Sequence, residues 1–231
     1  MLLPWKTASQ TMVARLSGYN ESPYSAFFSF NPTLNRIVHQ HMTCADFACL
    51  PESKLNYFIG SFVRNPYDRV YSGFRQLQED IRTQPSYSYA AEWIRTLVMK
   101  QLDENHRQLQ AADFDFDKWL ASVTEDQIYE IGYNTNFPLH PGHYWTHINQ
   151  TQFANFIGRV EHFEKDFSDF CSKVGIVTEA RNANVVDLEG AASENPFSYR
   201  YINRMDKKSI EKINSLFFRD FELFGYDRLP C

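Results

Sequence analysis

Seven residues without a charge, Tyr57 to Val63 (YFIGSFV), run directly into Arg64, Asn65 and Pro66. A continuous apolar run of this length reads as a strand covered on both faces, as in the middle of a parallel sheet. Asn65 suits a helix N-cap and Pro66 the first helical position, so the strand passes straight into a helix. This strand-to-helix corner is the half-unit of an α/β fold, and it places Arg64 at the carboxyl edge of the sheet. A guanidinium there demands a partner, because burying it alone is costly. Either a carboxylate of the same chain or an anionic ligand would serve.

The rest of the chain alternates in the same way. Residues 1–3 read as the end of a first strand, Ser9 to Leu16 as a helix, and residues 26–30 and 36–43 as strands, with a short helix in CADFACL. Tyr89 to Leu109 is a long amphipathic helix, Phe116 to Val123 a short one, and residues 129–151 an aromatic, His-rich loop or lid. A strand in 153–160, a helix after it, a polar loop over 178–200 and a helix from Lys207 to Phe224 complete the pattern. No repeat or linker divides the chain. The expectation is an α/β fold in one domain, with a central parallel sheet flanked by helices.

Composition narrows what such a domain can do. With 16% aromatic residues, 20 of them Phe and 13 Tyr, the chain has ample material for a core. Its net charge of −5 gives no global basic field, so nucleic acid is not expected as a partner and any anion site must be local. No apolar run approaches the ~18 residues of a transmembrane segment, and MLLPWK does not resemble a signal peptide. The four cysteines form no CxxC pair and are expected as reduced thiols, one disulfide being the alternative.

A second corner, LLPWKTASQTM, also runs from a short strand through small and hydroxyl residues into a helix. Its backbone N–H groups, Lys6 and the hydroxyls of Thr7, Ser9 and Thr11 could together hold a phosphate or sulfate. An ordinary capped surface helix would look similar. It is not a Walker A loop, since GxxxxGK[ST] is absent. In α/β folds ligands bind outside the carboxyl ends of the strands, so both corners are expected on one edge.

PWKTASQT resembles the 5′-phosphosulfate loop (PKTGGTS or PKTAGTS) of carbohydrate sulfotransferases, and FVRNPYDRVYSGF (62–74) resembles their 3′-phosphate motif, FVRNPxxRLVSxY. FIGRVEHFEKDF (156–167) and RDFELFGY (219–226) are similar to two further segments of that family, in the family's order. Trp5 and Gln10 depart from the pattern: proline usually precedes the lysine, and a small hydroxyl residue usually stands at the second place. The resemblance implies one P-loop-like sulfotransferase domain over 1–231, with 76–150 as a variable insertion for acceptor binding.

It also implies 3′-phosphoadenosine 5′-phosphosulfate (PAPS) as co-substrate, with no metal. Lys6 would meet the leaving oxygen, and Lys6, Thr7, Ala8, Ser9, Gln10 and Thr11 the 5′-phosphate. Arg64 and Ser72 would meet the 3′-phosphate, and Ser198 and Arg200 the adenosine end. HQHMTCADF (39–47) resembles HGHVSxxDF of the uronyl 2-O-sulfotransferases, which maps the general base onto His41, with His39 beside it. His39, His140 and His143 are candidates for the acceptor, expected to be a carbohydrate or other hydroxyl compound. Arg69 reads as structural, paired with an acid such as Asp68 or Glu79. The lack of an anchor points to a cytoplasmic microbial or viral enzyme, or to the Golgi lumen if an N-terminal anchor is missing. A nucleotide-dependent small-molecule kinase and a non-catalytic glycan-binding relative are the alternatives.

Overall fold

The computed structural model describes residues 1–19, 28–33, 35–39, 41–83, 92–129, 139–177 and 199–230. In chain order its helices are α1 (Ser9–Arg15), α2 (Cys44–Ala48), α3 (Pro66–Thr83), α4 (Glu92–Ala111), α5 (Phe116–Ser122), α6 (Glu125–Tyr129), α7 (Phe163–Val174), α8 (Lys207–Leu216) and α9 (Phe218–Phe224). Its strands are β1 (Phe28–Asn31), β2 (Arg36–His39), β3 (Gly60–Val63), β4 (His147–Ile148), β5 (Thr151–Gln152) and β6 (Phe156–Arg159). The chain divides into two compact units, Met1–Arg64 with Gly142–Ser198, and Asn65–Pro141 with Tyr199–Cys231.

The first unit is mixed α/β. Its parallel pairing lies between β3 and β6, in the register Gly60↔Phe156 to Val63↔Arg159. Ahead of α1, the Leu2 N–H donates to the Gly60 carbonyl at 2.9 Å, so the first residues run beside β3 without forming a strand of their own. Helix α7 lies on the pair through Phe163, Phe167 and Phe170, which cluster with Phe62 and Met12. Two glycines leave room for the rings, Gly60 for Phe170 of α7 and Gly158 for Phe62 of the paired strand. A Cβ on Gly60 would lie 2.4 Å from the Phe170 ring, and one on Gly158 would lie 2.5 Å from the Phe62 ring. A second cluster gathers Leu2, Cys44 and Trp145, with Trp5, Phe47, Ile59, Tyr144, Ile148 and Phe153 packed against it.

Among the described residues, parallel pairing is confined to β3 and β6. The segments 26–30 and 36–43, expected as strands of the parallel sheet, instead supply an antiparallel hairpin, β1 with β2, in the register Phe28↔His39 to Asn31↔Arg36. The reason is the length of the link between them: a few residues can only turn the chain back, whereas a parallel return needs a long crossover. The pair β4–β5 is antiparallel for the same reason. The strand expected over 36–43 ends at His39, and His41 lies in a turn before α2. Of the stretch expected as a loop or lid, residues 139–147 are largely core, while Tyr129 and 149–151 are exposed. Leu139, His140, Trp145 and Thr146 are all fully buried.

The second unit is helical. Asn65 caps α3, its Oδ1 accepting from the Tyr67 N–H at 3.0 Å. One face of α3 supplies Tyr67, Tyr71 and Phe74 to an aromatic core with Phe116, Trp119, Tyr201 and Phe221. The single closing helix expected from Lys207 to Phe224 is broken at Phe217 (φ −116°, ψ 22°). Phe217 is buried, and its ring lies 5.0 Å from the Arg69 guanidinium.

Candidate functional site

The first corner is built within the α/β unit. After Leu2 the chain curls, and Lys6 and Ala8 both take positive φ, 59° and 61°. Residues with a Cβ hold that conformation only where their surroundings fix it. Here the Thr7 hydroxyl is fully buried and donates to the Pro4 carbonyl at 2.9 Å, while Ala8 packs against the Met12–Phe62 cluster. Ala8 is also the N-cap of α1, and no side chain caps that helix. Left-handed residues interleaved in a tight turn gather N–H groups into an anion-binding concavity. Ser9 and Thr11 are half-buried on the first turn of α1, and Gln10 is exposed.

The second corner reaches the first. Arg64 is half-buried at the end of β3, and its Nη1 lies 3.5 Å from the Lys6 carbonyl. This contact is at the outer limit of hydrogen bonding and engages one of five guanidinium donors. Among the described residues, no carboxylate pairs with Arg64. The question raised by its place in the sequence is thereby narrowed: the cation faces the Lys6 loop rather than an acid.

His41 is held against the same loop. Its Nδ1 lies 2.6 Å from the Leu3 carbonyl, its ring stacks on Trp5 with centroids 3.8 Å apart, and the Trp145 Nε1 donates to its backbone carbonyl at 3.0 Å. A carbonyl only accepts, so Nδ1 carries the proton and Nε2 the lone pair. Burial above all, with a smaller effect from the Lys6 cation, lowers the His41 pKa to about 4, against a raising effect of the Leu3 hydrogen bond. The ring is therefore neutral at pH 7. A capping box between Thr43 and Asp46 starts α2 two residues later and fixes the exit of the His41 turn.

The other sequence candidates lie as follows. His39 ends β2, its backbone opposite Phe28. His143 is buried with its ring edge-on to Tyr144, and its carbonyl accepts from the Thr146 N–H at 3.1 Å. In the helical unit, His140 is 1% exposed and its Nδ1 donates to the Ile128 carbonyl at 2.6 Å. Burial is the main cause lowering its pKa to about 4. Ser72 is half-buried on α3, and Arg200 is exposed, its guanidinium 5.4 Å from the Tyr201 ring. Ser198 lies outside the described residues. Arg69, 1% exposed, pairs with Asp220 at 3.4 Å and donates to the His140 carbonyl at 2.6 Å. Asp68 instead accepts from the Tyr201 N–H, and Glu79 pairs with Arg82.

Sequence reading missed the group that holds His41. Leu3 acts through its carbonyl, which carries no sequence signal, and Trp145 lies about a hundred residues downstream. Trp5 did carry a signal, as the indole standing where proline was expected.

A family model described as "Sulfotransferase family" matches residues 6–227. No curated protein and no solved structure matches the chain.

Proposed function

The chain belongs to the sulfotransferase family, and from that premise we propose that it transfers a sulfuryl group from PAPS to a carbohydrate hydroxyl. In this reading the α/β unit is part of a P-loop-like fold, and His41 is the general base. The observation that carries the reading is Arg64: a half-buried strand-end cation, unpaired with any carboxylate among the described residues, 3.5 Å from the carbonyl of Lys6. A nucleotide with phosphates at two places needs positive charge at two neighbouring points, and in a chain of net charge −5 that charge has to be local. The residues fit such a group: a cation from each corner, and a turn with left-handed Lys6 and Ala8 leading into an uncapped helix.

When bound, PAPS supplies the sulfuryl group and a leaving 3′,5′-bisphosphate. Lys6 contributes a point charge against the negative charge that develops on the bridging oxygen. Thr7 has its hydroxyl committed to Pro4, so it offers its backbone N–H, as does Ala8. Ser9, Gln10 and Thr11 add the first amides of α1. Arg64 takes the 3′-phosphate as a planar fork; Ser72 and Arg200 carry their donor roles from the resemblance alone. His41 presents the Nε2 lone pair, entirely unprotonated at neutral pH, to the acceptor proton. An anion beside Lys6 offsets the cation that lowers His41 and so raises its basicity. His39 and His143 remain the candidates for contact with the sugar.

Calorimetric titration with 3′,5′-ADP tests the donor site. Saturable binding by the wild type and at least about tenfold weaker binding by Arg64→Ala are expected, since a charged hydrogen bond is worth roughly 1.5–3 kcal/mol. A wild type that binds ATP but not 3′,5′-ADP would overturn the reading in favour of a phosphotransferase. Single-turnover transfer from labelled PAPS across a glycan panel then identifies the acceptor.

A further inference from the structure

We propose that Trp5 is a positioning residue for His41: its indole face and the Leu3 carbonyl clamp the imidazole, so the loop that carries Lys6 also sets the plane in which Nε2 is presented. This inference rests on the reading of His41 as the general base. Three contacts define the clamp. The Trp5 and His41 rings are stacked, centroids 3.8 Å apart and planes 27° from parallel. The Leu3 carbonyl accepts from Nδ1 at 2.6 Å, fixing rotation of the ring and its tautomer. The Trp145 indole N–H holds the His41 backbone carbonyl at 3.0 Å. Trp5 is itself seated against the Leu2–Cys44–Trp145 cluster, so it is a wall and not a mobile flap.

Leu3, Trp5 and Lys6 are consecutive or nearly so. Any displacement of the turn that moves the Lys6 ammonium also moves both surfaces holding the imidazole. The departure from the family's proline is therefore more than a tolerated substitution, because a pyrrolidine ring offers no π-face to an imidazole. The titratable groups on the segments around His41 are Lys6 on the loop, Cys44 and Asp46 on α2, and His143 and His147 beside Trp145. The Cys44 thiol is pushed up to about 12 by burial and donates to the Tyr144 carbonyl, so it stays neutral. Lys6 is the charge with a direct effect on the ring.

The test combines NMR of the His41 ring nitrogens with steady-state kinetics on wild type, Trp5→Ala and Trp5→Phe. Wild type should show a single Nδ1–H tautomer. In Trp5→Ala the imidazole, no longer held in the plane that aims Nδ1 at the Leu3 carbonyl, should show mixed tautomers, the titration midpoint should move from about 4 towards the ordinary 6.5, and kcat should fall about tenfold or more with KM for PAPS little changed. Trp5→Phe, which keeps an aromatic face, should recover most of kcat and the tautomer. If Trp5→Ala does not fold, Trp5→Leu supplies bulk without a π-face and gives the same readouts. An unchanged tautomer and midpoint in a folded Trp5→Ala or Trp5→Leu overturn the clamp. A changed tautomer together with full activity in His41→Ala upholds the clamp and sinks the base assignment instead.

Discussion

The Arg64 guanidinium reaches to 3.5 Å from the Lys6 carbonyl, yet the two residues are asked to do different things. Arg64 is anchored by a strand and approaches the loop backbone, so its truncation should act on binding. Lys6 is a point charge on a flexible stem, and its effect is expected in the chemical step. Lys6→Ala should lower kcat by about 10² or more, the scale for removing one charge-stabilising donor, with circular dichroism unchanged. His41 adds a stability signature of its own. Its folded pKa of about 4 lies below the 6.5 of the free side chain. Between those values the unfolded imidazole takes up a proton that the folded one refuses. The unfolded state therefore binds more protons, and stability falls as pH falls through that window. Above pH 6.5 the contribution vanishes. His140, also at about 4, behaves alike in the other unit. Each should cost on the order of 3 kcal/mol by the acid end of the window. Urea denaturation at pH 7, 6 and 5 should show the decline, and His140→Gln should flatten it in the helical unit.

At the scale of elements, the β3–α3 corner was legible because every local rule there agrees. An apolar run, an asparagine cap and a proline at the first helical position leave little choice, and the Asn65 side chain caps as read. The β1–β2 hairpin was misread because short apolar strands do not announce their partners. Only the connection length decides between parallel and antiparallel pairing. The β3–β6 pair depends on a detail that sequence gives only as a letter. Gly158 is needed because the Phe62 ring occupies the place of its Cβ, at 2.5 Å. Gly158→Ala should destabilise the α/β unit by about 1–3 kcal/mol through overpacking. The denaturant midpoint should fall with the m-value unchanged, and Phe62→Leu in the same background should restore part of the loss.

At the scale of the whole molecule, each unit has its own core, and the helical one is built around a buried polar anchor. In the helical unit that anchor is Arg69, paired with Asp220, bonded to the His140 carbonyl and stacked on Phe217. With side chains 1% and 2% exposed, neither charge has water to fall back on. Asp220→Ala should therefore cost about 3–5 kcal/mol by stranding the guanidinium, more than the pair itself contributes. Thermal denaturation checks this, and Arg69→Met with Asp220→Leu together should recover much of the loss. The same arrangement explains why Arg69, next to Arg64 in the motif, belongs to architecture. No helix among the described residues is long and apolar enough to cross a membrane.

The order of the motifs, the β3–α3 corner and the identity of the charged residues in both corners were determined by sequence alone, because they depend on local propensity and on residue type. Family membership follows from the same letters. Tertiary structure decided which of two neighbouring arginines was committed to an acid, which histidines were sealed in a core, and which carbonyl and indole hold His41. Those outcomes depend on contacts between residues far apart in the chain, such as Arg69 with Asp220 and His41 with Trp145. Arg64 looked from the sequence like a cation in want of a partner, and the fold turned it towards the backbone of Lys6.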